Sequence, residues 1–421
     1  IEANETIMLG WKEVTLKELA LPLIKAIDSF NYLLKSHHRR VAVIAYNIAK
    51  ELNLSEKDLS ELVIAASMHD IGALSIQERD MLIQEDVNNP KPHCVMGYRM
   101  LVPFNIFKNV AQIIKHHHIK YEESLKTPNN RVFFASHIIH LADRVDILIN
   151  HEEFILNQKS KVTEKIRDKV GITFHPEVFE AFLKVAKADI FWIEINNMSL
   201  DQLFRKINFL VDCQLTLDNV TSFALTISRI VDFRSRFTVT HSYTVAHLAS
   251  FFGTIFNYSE ERCQKLMIAG YLHDIGKIGI DPRIIEKSGS LTEEEYNMIK
   301  LHPYYTEQIL NELSTSEWFA EIANWAKNHH ERIDGSGYPY SLTEPDIEEG
   351  VKILAFSDVI TALMEERPYR KILEIDEAFR IIDETIAPKI SIDMFDIIKK
   401  HKIEINDLVR KCQQYKFDHY N

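Results

Sequence analysis

The stretch that decides the fold is Leu266–Ile280, LMIAGYLHDIGKIGI. A run of apolar residues ends there at His273 and Asp274, and the sequence Ile-Gly-Lys follows at once. A histidine and an aspartate at the end of a buried helix are costly to desolvate unless they pair or bind a metal. The stretch therefore predicts a buried helix whose last two polar residues are either paired or bound to a metal.

Further histidines and one aspartate supply the rest of a candidate ligand set. They are His241 upstream, and His302, His329, His330 and Asp358 downstream. Imidazoles and carboxylates in this proportion favour a two-metal hydrolytic site over a tetrahedral thiolate site.

An earlier part of the chain repeats this stretch. Residues 62–72, LVIAASMHDIG, align with LMIAGYLHDIG without a gap and contain His69 and Asp70. The candidate ligands of this first copy are His37, His69, Asp70, His93, His117, His118 and Asp143. A period of about 200 residues is too long for a solenoid repeat and indicates a duplicated domain. We expect the domains to be residues 1–205 and 206–421, joined by a helix within residues 208–236.

Composition narrows the class of protein. Glycine is scarce and most segments have helical periodicity, which predicts an all-α fold. With 49 Lys and Arg against 61 Asp and Glu, the net charge of −12 argues against binding of a nucleic-acid polymer. No apolar run is as long as a membrane span, and no signal peptide is visible. The scattered cysteines, which are Cys94, Cys213, Cys263 and Cys412, are typical of a cytoplasmic protein with reduced thiols.

The second copy has features that the first lacks. Lys277 follows its HDIG motif, where the first copy has Ala73. Its histidine doublet leads into the sequence ERIDGSGYP, whose glycines let a backbone approach a ligand closely. Residues 367–371, RPYRK, add cations that can pair with phosphate.

At these residues the chain resembles the HD-GYP family of cyclic-dinucleotide phosphodiesterases, within the HD phosphohydrolase superfamily. The motifs HDIGKIGI, HHERIDGSGYP and RPYRK occur in the family's order and spacing. The match covers roughly the C-terminal half, and the N-terminal half resembles a degenerate HD domain with a regulatory role.

The resemblance implies two tandem HD-type helical bundles and hydrolysis of cyclic di-GMP or 3'3'-cyclic GMP-AMP, to the linear dinucleotide and in some members on to mononucleotides. It implies Asp274 as a bridging ligand and Lys277 as a catalytic group at the phosphate. It implies these metal ligands: His241, His273, Asp274, His302, His329, His330 and Asp358. It implies these dinucleotide contacts: Lys277, Gly337, Tyr338, Arg367 and Arg370.

The cofactor expected from this resemblance is a pair of divalent transition metals, with Fe or Mn first and Ni, Zn or Mg as alternatives. Some members place a glutamate four residues before the first histidine and use it for a third metal. This chain has Phe237 there, so we expect two metals.

Several alternatives remain open from the sequence. The chain is either a cyclic-dinucleotide phosphodiesterase, a generic HD nucleotide phosphohydrolase, or a receptor that binds a cyclic dinucleotide without cleaving it. The histidines and aspartates of the first copy either bind metal or form buried polar pairs in an inactive scaffold. Whether the doublet there is His116-His117 or His117-His118 is undecided, as is formation of a homodimer or another interaction through the N-terminal domain.

Overall fold

A computed structural model provides the structure of the protein. It describes residues 20–21, 24, 36–73, 91–102, 104–126, 130–209, 217–232, 240–285, 287, 289–311, 317–366 and 372–414. These residues form two compact units, with the first containing the described residues up to Phe209 and the second those from Leu217 onward.

Helices make up both units. In the first they are α1 (His37–Glu51), α2 (Glu56–Ser67), α3 (Lys91–Leu101), α4 (Lys108–Lys115), α5 (Tyr121–Ser124), α6 (Asn130–Leu148), α7 (Lys159–Arg167), α8 (Pro176–Ala186), α9 (Asp189–Asn197) and α10 (Leu200–Arg205). In the second they are α11 (Leu217–Asp232), α12 (His241–Ile255), α13 (Glu260–Leu272), α14 (Pro282–Ile285), α15 (Glu293–Ile299), α16 (His302–Leu310), α17 (Glu317–Asn328), α18 (Glu349–Met364), α19 (Ile375–Ile381), α20 (Ala387–Ile390), α21 (Ile392–Ile398) and α22 (Lys402–Gln413).

The all-α prediction is confirmed. Within the described ranges the only β pairing is two isolated bridges, one in each unit. Helix α11 lies within the stretch expected to join the two copies, and residues 210–216 and 233–239 on either side of it lie outside the described residues. No helix in the described part of the chain is long and apolar enough to cross a membrane.

The two units repeat the same core packing. In the first, α1 packs against α2 and α6, and in the second, α12 packs against α13 and α18. The apolar face expected on each central helix is fully buried, with Val41, Ile44, Ala45 and Ile48 in α1 and Val245, Leu248, Ala249 and Phe252 in α12. Burial of apolar side chains such as these stabilises each bundle.

The turn before the HD helix is also repeated. Asn53 and Asn257 each adopt a positive φ, of 54° and 58°, a conformation that asparagine tolerates better than most residues. Two residues later a serine begins the next helix, because the Ser55 hydroxyl accepts the Asp58 N–H and the Ser259 hydroxyl accepts the Arg262 N–H. Local sequence thus fixes where α2 and α13 start, and therefore where each HD pair lies at the other end.

Candidate metal centre

The seven expected ligands of the second unit come together from separate elements. His241 is the first residue of α12, and His302 is the first residue of α16. The pair His273-Asp274 follows α13, and the pair His329-His330 follows α17. Asp358 lies within α18. Helix ends therefore supply all of these side chains except Asp358.

Asp274 lies between two groups of imidazoles. Its Oδ2 atom is 3.3 Å from His273 Nε2 and 3.8 Å from His241 Nε2. Its Oδ1 atom is 3.3 Å from His302 Nε2 and 4.0 Å from His329 Nε2. Each carboxylate oxygen thus faces a different set of nitrogens, which is the arrangement needed for a carboxylate that bridges two metal ions.

The remaining carboxylate and the last histidine complete these two groups. Asp358 Oδ1 is 3.3 Å from His241 Nε2 and 4.0 Å from His273 Nε2. On the other side, ligand atoms of His302, His329 and His330 all lie within 4.8 Å of one another. The two sets share Asp274 between them.

Backbone carbonyls hold three of the imidazoles in one tautomer. The Nδ1 atoms of His273, His302 and His329 each lie 2.7 Å from a carbonyl oxygen three residues earlier in the chain. Because a carbonyl can only accept, each Nδ1 carries the hydrogen and each Nε2 keeps its lone pair. All three Nε2 atoms face the centre of the cluster.

The buried atoms at the centre fit a metal. His273 Nε2, Asp274 Oδ1, His302 Nε2 and His329 Nε2 are buried and make no hydrogen bond of acceptable geometry with the described residues. Buried polar atoms left in this condition cost free energy, and divalent ions are the partners that imidazole and carboxylate ligands take together. The donor set therefore fits the two ions expected from the sequence.

Protonation favours the same conclusion. Burial lowers the pKa of His302 to about 4 and that of His329 to about 3, so both imidazoles are neutral near pH 7. Burial alone would raise the pKa of Asp274, but His273 and Lys277 outweigh it and hold that pKa well below its ordinary value. Neutral imidazoles and ionised carboxylates are the forms that bind metal.

Glu365 orients the ring of His241. Its Oε2 atom is 2.9 Å from His241 Nδ1, and its side chain is buried. A carboxylate on one ring nitrogen fixes the tautomer and directs the other nitrogen toward the metal. Glu365 was not among the residues predicted from the sequence, because no sequence pattern links a glutamate after Met364 to the histidine at the start of α12.

Lys277 faces the cluster from the turn that follows α13. Its ammonium pairs with Asp274 Oδ2, and its side chain keeps about a quarter of its surface exposed, at 26%. The turn is held by Thr306, whose hydroxyl accepts the Gly276 N–H and donates to the His273 carbonyl, each at 3.0 Å. A partly exposed cation beside Asp274 is well placed to contact an anionic ligand there.

The Gly-rich loop packs over the last histidine. The ring of Tyr338 lies 4.7 Å from that of His330, with 32° between their planes. Gly337 permits this conformation of the loop, because a Cβ atom at that position would lie 2.4 Å from the backbone nitrogen of Arg332. The buried Glu331 carboxylate braces the loop by accepting the N–H groups of Tyr340 and Leu342 at 2.7 and 2.9 Å. Glu331 stands within the motif ERIDGSGYP, but this role was not predicted from the sequence.

Three residues singled out from the sequence lie outside the described residues. They are Arg367 and Arg370 of the cationic cluster, and Phe237 at the position of a third-metal ligand.

The first unit gathers its own seven counterparts around Asp70. Candidate ligand groups there are Asp70 with His93, His117 and His118, and Asp70 with His37 and His69. The ring of His116 instead packs against Phe133, with centroids 4.9 Å apart. In the structure the doublet that faces Asp70 is therefore His117-His118.

Comparison with known families agrees with this duplicated arrangement. A family model described as an HD domain matches residues 34–148, and a second model with the same description matches residues 226–390. One match therefore falls in each compact unit.

Similarity to individual proteins covers from 60% of the chain to nearly all of it. The chain is 28% identical to a protein of Vibrio cholerae serotype O1 named 3'3'-cGAMP-specific phosphodiesterase 1, over 98% of this chain and 95% of that relative. It is 32% identical to a protein of Thermotoga maritima named cyclic di-GMP phosphodiesterase, over 60% of this chain and 64% of the relative.

The fold is similar to that of a solved structure as well. A crystal structure described as the cyclic GMP-AMP specific phosphodiesterase V-cGAP3 of V. cholerae matches 97% of this chain and 99% of its own, with a TM-score of 0.62 and 22% identity. Two HD matches and this shared fold confirm the resemblance inferred from the motifs. The chain therefore belongs to the HD-domain proteins, as a tandem of two HD domains of which the second carries the HD-GYP motifs.

Proposed function

We propose that the chain hydrolyses a cyclic dinucleotide with two divalent transition-metal ions held in the second unit. The observation that carries the proposal is the division of ligands around Asp274, whose two oxygens face two separate sets of imidazoles. The names of the relatives support it, since proteins similar to this chain over nearly its whole length are called 3'3'-cGAMP-specific phosphodiesterases.

The ligands divide into two sets that share Asp274. One ion would be held by His241, His273, Asp274 and Asp358, and the other by Asp274, His302, His329 and His330. When bound, two such ions lower the pKa of a water molecule and neutralise charge on the phosphodiester. Fe and Mn are the first metals to test, with Ni, Zn and Mg as alternatives.

Chain residues supply orientation and charge around the phosphate. Lys277 has its ammonium beside Asp274 and would contact a non-bridging phosphate oxygen, where it offsets the charge that develops during attack. Tyr338 and Gly337 lie on the loop over His330 and would line the dinucleotide side of the site. Arg367 and Arg370 are proposed to pair with its phosphates.

The two domains are proposed to differ in task. Residues 206–421 form the catalytic HD-GYP domain, and residues 1–205 form a regulatory or dimerising HD domain that lacks a counterpart of Lys277. We place the protein in the cytoplasm, in line with cysteines that are scattered singly along the sequence, as is typical of reduced thiols.

The experiment that tests this proposal is a turnover assay with two substrates. Protein loaded with Mn or with Fe is given cyclic di-GMP and 3'3'-cyclic GMP-AMP separately, and products are separated by chromatography. We expect cleavage of at least one substrate, and its loss in His273→Ala but not in His401→Ala, which changes a partly exposed histidine of the same unit.

The outcome also separates the alternatives. Tight binding of a cyclic dinucleotide with no product, while metal analysis finds the second unit's site filled, would contradict the proposal and favour a receptor. Cleavage of mononucleotides in preference to both cyclic dinucleotides would favour a generic HD phosphohydrolase.

A further inference from the structure

We propose that the first unit holds a metal centre of its own, in which Asp70 bridges two divalent transition-metal ions. The residues that would hold one ion are His37, His69, Asp70 and Asp143, and those that would hold the other are Asp70, His93, His117 and His118. This inference concerns metal binding alone and does not depend on the activity proposed for the second unit.

Asp70 divides its neighbours as Asp274 does. Its Oδ2 atom is 3.2 Å from His69 Nε2 and 3.9 Å from His37 Nε2. Its Oδ1 atom is 3.3 Å from His93 Nε2 and 3.6 Å from His117 Nε2. The second carboxylate repeats the pattern too, with Asp143 Oδ1 3.4 Å from His37 Nε2. Each oxygen of the central carboxylate therefore faces its own pair of nitrogens.

The imidazoles of the first unit are also held for metal binding. The Nδ1 atoms of His69 and His117 lie 2.9 and 2.7 Å from carbonyl oxygens three residues earlier, those of Ala66 and Ile114. These carbonyls leave the lone pair on Nε2, which faces Asp70. A carboxylate holds the third ring, since Asp146 Oδ2 is 2.7 Å from His37 Nδ1.

Two buried atoms at the centre lack a well-formed hydrogen bond. His69 Nε2 and Asp70 Oδ1 are buried and make no hydrogen bond of acceptable geometry with the described residues, and the side chains of these two residues are 0% and 4% exposed. An inactive scaffold that no longer bound metal would be more stable with apolar side chains at these places. The retained polar cluster is therefore better explained by a bound ion.

Close packing brings the third histidine to the cluster in both units. A Cβ atom on Gly72 would lie 2.1 Å from the His93 carbonyl oxygen, and one on Gly276 would lie 1.9 Å from the His302 carbonyl oxygen. The glycine of each HDIG motif thus lets the helix that carries the next ligand approach the HD pair. This close approach positions His93 in the first unit as it positions His302 in the second.

The surroundings of the first centre differ from those of the second. Ala73 stands at the position of Lys277, so a cation is missing from that place in the sequence. The Arg144 guanidinium pairs with Asp143 Oδ2 at 2.7 Å, whereas Val359 follows Asp358. The ring of His140 lies 5.4 Å from that of His118. These differences do not alter the candidate metal ligands. They alter the residues around them that would contact a phosphate.

Metal content per chain tests the proposal directly. Wild type, Asp70→Asn, Asp274→Asn and the double variant are loaded with Zn or Mn, dialysed against the same buffer, and analysed by mass spectrometry for bound metal. We expect each single variant to lose about half of the metal of the wild type and the double variant to lose nearly all of it, since each two-metal site depends on its bridging carboxylate. His116→Ala is the matched control, and we expect it to keep the content of the wild type.

Two results would overturn the proposal. One is metal content in Asp70→Asn equal to that of the wild type, and the other is the absence of bound metal from a folded Asp274→Asn variant. Anomalous scattering from wild-type crystals, collected at the absorption edge of the loaded metal, locates the bound ions without any substitution. Peaks beside Asp70 are expected, and peaks beside Asp274 alone would contradict the inference.

Discussion

At the scale of single residues, the buried Glu365 carboxylate controls the direction in which His241 presents its Nε2 atom. The substitution Glu365→Gln keeps the shape of the side chain but removes the negative charge that orients the His241 ring. Changes to such partners of metal ligands typically cost about 10–100-fold in metal affinity or activity. We expect a loss in that range, measured as metal affinity by competition with a chromophoric chelator.

The adjacent Glu366 is the natural control for that experiment, because it is exposed where Glu365 is buried. Glu366→Gln should bind metal as the wild type does. Equal affinities in both variants would mean that the Glu365 contact with His241 does not orient the ring.

The buried histidines should also make the metal-free protein sensitive to acid. Burial lowers the pKa of His302 from 6.5 to about 4, and that of His329 from 6.5 to about 3. Between these values and 6.5 the unfolded chain binds protons that the folded chain does not, so stability falls as pH falls through that window. Each such histidine contributes about 1.4 kcal/mol per pH unit within it.

Denaturant unfolding of chelator-treated protein between pH 7 and pH 4.5 measures this effect. His302→Gln should unfold with a shallower pH dependence than the metal-free wild type. A wild-type free energy of unfolding that stays constant across the window would show that these imidazoles take up protons in the folded state.

At the scale of elements, the contact between the HDIG turn and α16 fixes the third histidine. Gly276→Ala would force a Cβ atom to 1.9 Å from the His302 carbonyl oxygen, so either the turn or the helix must shift. Overpacking of this kind costs about 1–3 kcal/mol. We expect a lower thermal midpoint together with weaker metal binding, measured by calorimetry with and without metal.

Gly289→Ala provides the comparison, since an added Cβ atom there meets nothing within 4 Å. That variant should match the wild type in both measurements. If Gly276→Ala also matched it, the close approach of α16 would not be needed for the site.

Glu331 acts on the loop rather than on the metals. Its two oxygens accept the N–H groups of Tyr340 and Leu342. Gly337 and Tyr338 lie in the loop between Glu331 and Tyr340. Hydrogen bonds to a charged group are each worth about 1.5–3 kcal/mol, so Glu331→Ala should loosen the loop substantially. We expect the KM for the cyclic dinucleotide to rise about tenfold, equivalent to about 1.4 kcal/mol, while metal content is unchanged.

The exposed Glu344 offers a matched substitution later in the same segment. Glu344→Ala should leave KM as it is. A drop in metal content with Glu331→Ala would instead assign that carboxylate to the support of His329 and His330.

At the scale of the whole molecule, two similar centres are expected to contribute unequally to catalysis. Asp274→Asn removes the proposed bridging carboxylate of the unit that has Lys277, and Asp70→Asn removes the corresponding proposed bridge of the unit that has Ala73. Because changes to the partners of ligands already cost about 10–100-fold, loss of the bridge itself should cost on the order of a hundredfold or more.

Turnover of the preferred cyclic dinucleotide by the two variants measures the difference. Asp274→Asn should be nearly inactive, and Asp70→Asn should keep at least a substantial fraction of wild-type kcat. Equal losses in the two variants would contradict the assignment of catalysis to the second unit.

The duplication made much of the molecule readable from sequence. The ungapped HDIG copies predicted the two buried helices and the HD pair at the end of each, and the other candidate ligands followed from matched histidines and aspartates. What supports those ligands was not predictable in the same way. His241 is oriented by Glu365 and His37 by Asp146, and these carboxylates lie seven and three residues after their respective aspartates, Asp358 and Asp143. Only the packing of the helices shows that Glu365 and Asp146 both orient the first histidine of their unit.

The carbonyl contacts of the imidazoles have a consequence for how metal enters the protein. His273, His302 and His329 each keep their hydrogen on the nitrogen that faces a backbone carbonyl three residues earlier. An arriving ion therefore meets lone pairs that already point inward, and no hydrogen has to move between ring nitrogens first. The rate of metal uptake should then follow the supply of free ion, and prior exposure to neutral buffer without metal should leave that rate unchanged.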